Sequence, residues 1–321
     1  MRLRRYVLLR ILQLVPVTLV VIVLNFLLIH LAPGDISIIL AGETPDPAYL
    51  QHVREMYGLD RPFHEQLWRY LVQVGSGDLG MSFRSRQPVF DEIIDRIPAT
   101  LLLVGTAMGL SVVVGTWIGA RIARRPGSAV DSLVSAGAVM LFSVPVFWFG
   151  LMLILLFSVQ VPILPAMGMS SLDGPREGIG RVLDVAHHLV LPVLSLMTVS
   201  VGQYIRIART SVAEVMGESY ITTVRAIGFP DRRIVQHYAL RNALLPVVTV
   251  LGLQLGLILT GAVLTETVFS WPGLGRLIYE AILARDTPVI MGAFIAMSVT
   301  VAIASLATDL VYAALDPRVT L

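Results

Sequence analysis

Six stretches of the chain carry no aspartate, glutamate or arginine: residues 11–32, 97–120, 132–158, 189–205, 242–265 and 287–308. A helix needs about 20 largely apolar residues to cross the hydrocarbon core of a bilayer. In lipid the backbone must satisfy its own hydrogen bonds, so each stretch is expected to be helical. The pattern predicts an all-α integral membrane protein with six transmembrane helices. The first stretch follows Arg2, Arg4 and Arg5, as in a signal peptide. Its apolar run is too long, however, and ends in Leu31-Ala32-Pro33-Gly34-Asp35 without a small-x-small cleavage site, so it reads as a retained span.

Two intervening segments are longer than simple connections. Residues 33–96 contain turn signals around two helical patterns, at 47–57 and 62–74. In the second, Phe63, Leu67, Tyr70, Leu71 and Val74 share one face. A small cap of short helices is expected there, either packed over the membrane part or docking an external partner. Residues 206–241 read as two helices with a break. The first runs to about Ile227, Gly228 suits a left-handed C-terminal cap, and Pro230 cannot continue the helix. Asp231 can cap the helix that follows, which runs on through Asn242 into the fifth span. The chain thus divides into residues 1–32, a loop domain at 33–96, and a five-helix core at 97–321.

Arginine placement sets the expected orientation. With the N-terminus inside, the cytoplasmic segments hold 14 arginines and the two short outer loops hold 4. The expectation is that both termini face the cytoplasm. Of 321 residues, 55% are hydrophobic and 14% charged, against about 25% charged in soluble domains. All 24 basic residues are arginine. Without lysine the chain cannot carry a P-loop or form a Schiff base, so any ATP hydrolysis belongs to another polypeptide. Without cysteine it has no disulfide or thiolate chemistry.

The spans hold almost no ionisable residue, which leaves no proton relay of the kind ion-coupled carriers use. Glu266 and Asp309 lie at span ends, where water or headgroups are expected to reach them. His30 reads as an interfacial group. Adjacent His187 and His188 do not share a helix face and make a poor metal site. Asn25, Gln203 and Gln254 are polar positions inside spans. Each either lines a solute path or joins helices by hydrogen bonds. Gly105/Gly109, Gly115/Gly119 and Gly252/Gly256 are small-xxx-small pairs that permit close helix approach. A chain with an outer cap, a structured inner loop and no internal ion site is expected to draw energy from a partner. A stand-alone channel or an ion-coupled secondary transporter is the alternative.

The segment from Tyr220 through Thr223, Val224, Arg225 and Ala226 to Gly228, followed by Ala239-Leu-Arg-Asn242-Ala-Leu-Leu-Pro246, resembles the coupling motif of ABC importer permeases. It is similar to the dipeptide/oligopeptide/nickel branch, first permease of the pair. Leu31 to Asp35, Gly58 to Phe63, Gly77 to Gly80, Arg96 to Leu101, Glu266 to Gly275 and Asp316-Pro-Arg318 continue the resemblance in order along the chain. One departure is that Thr222, Thr223 and Val224 stand where the general motif has Glu-Ala-Ala. The resemblance implies a type I importer permease fold with a coupling helix at about 218–228. It implies a second homologous permease subunit, two cytoplasmic ATPase subunits, and an extracytoplasmic solute-binding protein. It implies a bacterial plasma-membrane location, no catalytic or metal residue, and no cofactor on this chain, with ATP on the partner subunits. Nucleic acid is not among the expected partners. Tyr220, Thr223, Val224, Arg225, Ala226, Gly228, Asn242 and Pro246 are the implied ATPase-coupling residues. Asn25, Gln203, Gln254, Glu266 and Trp271 are candidates for path and gate, with a short helix after Trp271-Pro272 at the outer mouth. Peptides of two to five residues lead as cargo, with nickel complexes and glutathione behind.

Overall fold

The computed structural model describes residues 2–31, 51, 60–175, 177–198, 200–230 and 233–315. Among these, regular structure is helical apart from one isolated bridge between Met81 and Pro88. The helices are α1 (Arg2–Leu31), α2 (Phe63–Gly75), α3 (Val89–Ile122), α4 (Ala129–Ser143), α5 (Val146–Ile154), α6 (Gly178–Met197), α7 (Val201–Met216), α8 (Ser219–Ala226), α9 (Leu240–Val268), α10 (Leu274–Leu283) and α11 (Thr287–Leu315). One π-helical turn, Leu155–Gln160, extends α5, and another, Ile234–Ala239, leads into α9. The predicted helix at 47–57 lies outside the described residues, apart from Gln51.

Within the described residues all six apolar stretches are helical. By length and composition α3, α6 and the Thr287–Thr308 part of α11 can each cross a membrane. The α4–α5 pair makes a fourth if it counts as one span, while α1 and α9 contain the shorter apolar helices Val15–Leu27 and Ala243–Gly252. Two stretches differ from a single straight span. The third breaks between Ser143 and Val146, where α4 and the extended α5 meet at 98°. Pro145 has no N–H to give the ladder and disfavours helix at the residue before it; Val144 is accordingly extended, at φ −83° and ψ 128°. The fourth breaks between Met197 and Val201. Here the Thr198 hydroxyl donates to the Ser195 carbonyl at 2.7 Å and the Ser200 hydroxyl to Ser111 Oγ at 2.9 Å. The first is a local side-chain-to-backbone bond, which competes with the helical ladder, and the second ties the break to α3.

The chain forms two compact units. One comprises Met1–Ile97 and Leu277–Ala302; the other comprises Pro98–Arg276 and Ile303–Leu321. In the first, α2 lies against the end of α1. His30 Nδ1 donates to the Phe26 carbonyl at 2.8 Å, and its Nε2 is 3.0 Å from the Gln66 carboxamide. Phe26 stacks on Tyr70 and tilts against Phe63. His30 is thus a joint between helices. Most of the predicted face of α2 turns inward: Leu67, Tyr70, Leu71 and Val74 are half-buried, while Phe63 at its start is exposed. Beyond α2 a tight loop is closed by Ser82 N to Gln87 O at 2.9 Å and Val89 N to Gly80 O at 3.0 Å.

In the second unit α7 is the central shaft. A β-carbon on Gly115 of α3 would lie 2.6 Å from that of Tyr204, and one on Gly119 would lie 2.8 Å from that of Ala208. One on Gly202 would collide with the Ala138 carbonyl of α4. Backbones therefore touch on two sides of α7. Midway along it Arg209 grips Asp131 with two nitrogens, Nη2 to Oδ2 at 2.6 Å. Asp131 Oδ2 also accepts from Gly127 N at 2.9 Å, which braces the α3–α4 turn.

Candidate functional site

From α7 the chain passes through exposed Gly217 and Glu218 into α8, which is eight residues long. The sequence pattern had carried one helix through to Ile227. Ile221 is the buried residue of α8. The Tyr220 hydroxyl donates to the Tyr238 carbonyl at 3.4 Å, and Thr223 Oγ1 donates to the Ser219 carbonyl at 3.4 Å. Behind Ile221 a small-residue core of Ala120, Ala123, Val212, Val235, Ala239 and Ala243 joins α3, α7 and the start of α9. The helix ends where the glycine signal places it. Gly228 has φ +95°, and its N–H donates to the Arg225 carbonyl at 3.0 Å. After Pro230, the Asp231 expected to cap the next helix lies outside the described residues. Arg233 N instead bonds the Pro230 carbonyl at 2.9 Å, and the Arg233 guanidinium stands 5.0 Å over the Phe229 ring.

The outward surface is continuous. Thr222, Thr223, Arg225, Ala226, Ile227 and Gly228 are all exposed, Ile227 at 70%, while Val224 is half-buried. Asn242 and Pro246 belong to the first two turns of α9. Pro246 is exposed, and the Asn242 side chain lies outside the described residues. One anchored face and one bare, mostly uncharged face make α8 suited to sit in a groove on another protein.

The candidate path residues fall into three places. Gln254 of α9 donates to Gln203 Oε1 of α7, joining the two helices. Gln254 is 3% exposed, and its own Oε1 has no partner. Gln203 is half-buried and lines a cavity of about 250 Å³ together with Ser135 and Arg206. Asn25 belongs to the other unit, is buried, and has an unpartnered Nδ2. Glu266 and Trp271 are both 0% exposed. This differs from the solvent-reached carboxylate expected at a span end. Glu266 Oε1 accepts from Thr100 Oγ1 at 2.7 Å and Oε2 from Arg276 N at 3.0 Å. Thr100 Oγ1 accepts in turn from Leu274 N at 2.7 Å. Trp271 Nε1 donates to the Ala99 carbonyl at 2.8 Å. The carboxylate thus takes up the Arg276 N–H of the first turn of α10 directly and that of Leu274 through the Thr100 hydroxyl, at a helix end where negative charge is favoured.

A second carboxylate that periodicity did not single out does similar work. Asp286 is 2% exposed and accepts from Ser82 Oγ at 2.6 Å, Phe83 N at 3.2 Å and Arg84 N at 3.1 Å. It pins the 79–88 loop to the corner before α11. The sequence signal was slight: Asp-Thr-Pro at a helix start, with nothing to name its partner. His188 is held by the Asp184 carbonyl at 2.9 Å and His187 by the Ile163 carbonyl at 3.0 Å.

Bundled apolar helices with a short exposed helix between two longer ones suit a membrane transport subunit. The chain matches the family described as binding-protein-dependent transport system inner membrane component over residues 90–321, and that family's N-terminal region over 3–104. It is 38% identical over 335 residues to the dipeptide transport system permease protein DppB of Escherichia coli, covering 98% of both chains. It is 38% identical over 314 residues to the glutathione transport system permease protein GsiC of Salmonella typhimurium, again covering 98% of both. Among solved structures, the inward-facing MetNI methionine ABC transporter matches with a TM-score of 0.57 at 18% identity, over 70% of this chain and 96% of that one. The protein belongs to the family of binding-protein-dependent transport system inner membrane components. It is a multi-pass plasma-membrane permease subunit of an ABC importer, a class that works with ATPase and solute-binding partners.

Proposed function

We propose that this chain forms half of the path of an importer for di- and oligopeptides or solutes of similar size. It pairs with a second, homologous permease. Two ATPase subunits sit on the cytoplasmic face, and an external binding protein delivers cargo and supplies the selectivity. The bilayer is crossed six times with both termini inside. ATP binds to the partner subunits, and this chain holds no cofactor. One observation carries the reading: α8 is anchored by Ile221 and leaves Thr222 to Gly228 bare apart from half-buried Val224. Tyr220, Thr223, Val224, Arg225, Ala226 and Gly228 make the ATPase contact, with Asn242 and Pro246 starting the helix that returns into the membrane. Closure of the ATPases moves α8, and the bundle rocks between inward and outward access.

The path carries polar but uncharged groups, Gln203 and Gln254 among them, with Asn25 as a further candidate. Such lining suits a route that passes cargo without holding it tightly. Glu266 and Trp271 brace the start of α10, which serves as the gate element at the outer mouth. The relatives named for dipeptides and glutathione support peptidic cargo.

The test is co-purification from membranes with its partner ATPase subunits, comparing wild type with Ala226→Glu plus Gly228→Asp. Wild type should retain the ATPases and the double variant should lose them while still inserting. If wild type purifies alone and passes solute in liposomes without ATP, a channel or carrier takes the place of this reading. Competition by dipeptides, tripeptides and glutathione in uptake assays then ranks the cargo.

A further inference from the structure

A groove of about 270 Å³ runs between the second half of α3 and the start of α9, within one compact unit. Its α3 wall extends from Val112 to Arg121, about 14 Å along the axis at helical rise, and Arg124 follows in the turn after the helix. The two ends differ in chemistry. One is apolar, with Val112, Val113 and Leu244; the other carries Trp117, Arg121 and Arg124. Among the described residues, none that lines it is acidic. Arg121, in the last turn of α3, and Arg124, in the turn that follows it, are both exposed and both line the groove. The Arg121 guanidinium lies 5.5 Å from the Trp117 ring centroid. Trp117 itself is 62% exposed, in the manner of side chains at the headgroup level of a bilayer. Between the two ends, Thr116 is only 9% exposed and its hydroxyl has no hydrogen-bond partner. A buried hydroxyl left unpaired is costly, so something should meet it.

We propose that this groove binds one anionic phospholipid of the cytoplasmic leaflet. The phosphate sits on Arg121 and Arg124, the Thr116 hydroxyl donates to an ester or phosphate oxygen, and an acyl chain lies along Val112, Val113 and Leu244. Basic pockets between helices on the cytoplasmic side have this recognition chemistry. The apolar end tells a lipid from a free phosphate ion, which has no use for it. Two guanidiniums without a carboxylate tell an anionic lipid from a zwitterionic one. Val235 and Leu240, which also line the groove, belong to the segment that follows α8. The lipid therefore touches the return path from the coupling helix.

The assembled transporter is purified in mild detergent and loaded with phosphatidylglycerol or phosphatidylcholine. Retained lipid is then measured by native mass spectrometry. Wild type should keep phosphatidylglycerol in preference. Arg121→Ala and Arg124→Ala should each lower retention about five-fold. The double lysine variant should keep it, which separates charge from folding. Thr116→Val should weaken retention without loss of assembly, and millimolar inorganic phosphate should not displace the lipid. Equal retention in wild type and the double alanine variant overturns the proposal. So does equal retention of phosphatidylcholine, or displacement by phosphate alone. A photoreactive side chain at position 117 gives an independent reading: labelling of lipid supports the site, and labelling of another subunit shows the groove to be a protein interface.

Discussion

Gly273 has no room for a side chain, because any β-carbon there would run into the Glu266 carboxylate. Gly275 is nearly as confined, at 2.7 Å from the Val263 backbone. The two glycines and the buried acid are one device. The chain doubles back tightly enough for the Arg276 N–H to reach an oxygen that water cannot. Gly273→Ala must displace that carboxylate and should lower stability by about 2–3 kcal/mol, the worth of charged hydrogen bonds left unmade. Glu266→Gln keeps the volume but turns an NH₂ toward one donor, and should cost less. Thermal unfolding of the purified complex checks both, and an unchanged midpoint for Gly273→Ala removes the argument. The sequence does hint at this fold-back. Trp271-Pro-Gly-Leu-Gly275 asks for close backbone approach, since glycine is the residue that allows it. What it approaches lies at Thr100 and Glu266, and residue-by-residue polarity placed Glu266 in water. A carboxylate near a span end reads as solvated until its donors are known, and here those donors come from a turn that only the tertiary fold brings close.

Among the helices, Gly105/Gly109 and Gly115/Gly119 look alike on paper and differ in the structure. Added β-carbons at Gly105 and Gly109 meet nothing within 4 Å, whereas those at Gly115 and Gly119 meet α7. Gly119→Leu should therefore break the α3–α7 packing and abolish stable assembly. Gly109→Leu should leave the melting temperature of the isolated subunit within about 0.5 kcal/mol equivalent. Size-exclusion profiles and melting curves of the two variants decide this, and equal damage from both sinks the distinction. Small-residue spacing shows which helix faces can come close, but not which ones do. The same limit explains the two broken spans. Hydropathy averages over Val144-Pro145 and over Thr198 to Ser200, because apolar residues continue through each break. The end of α8 was legible because its cause is local: a glycine that takes positive φ and a proline two residues on. The gap at Gly217 was not, since the helical pattern continues on both sides and the separation is set by Ile221 reaching the core.

At the scale of the whole chain, orientation rests on arginine counts, and the absence of cysteine makes it directly testable. Ser85→Cys and Ser219→Cys place single thiols at exposed positions, one in the loop before α3 and one at the start of α8. In intact cells an impermeant maleimide should label the first and spare the second; inverted membrane vesicles should reverse the pattern. Labelling of both from one side overturns the proposed topology. Length, hydropathy and the motif series were enough to place the chain in its family. They could not specify how its polar groups are matched, because hydrogen-bond partners such as Ser82 and Asp286, 204 positions apart, leave no periodic trace.

The shaft formed by α7 has a mechanical corollary. Where it meets α3 and α4, glycines let main chain come close to main chain. The Arg209 grip on Asp131 closes the same assembly midway along the shaft. On the coupling role proposed for α8, a push delivered there meets a stiff joint. The three helices have to travel as one lever, and little of the stroke is lost to compliance before it reaches the far end of the bundle.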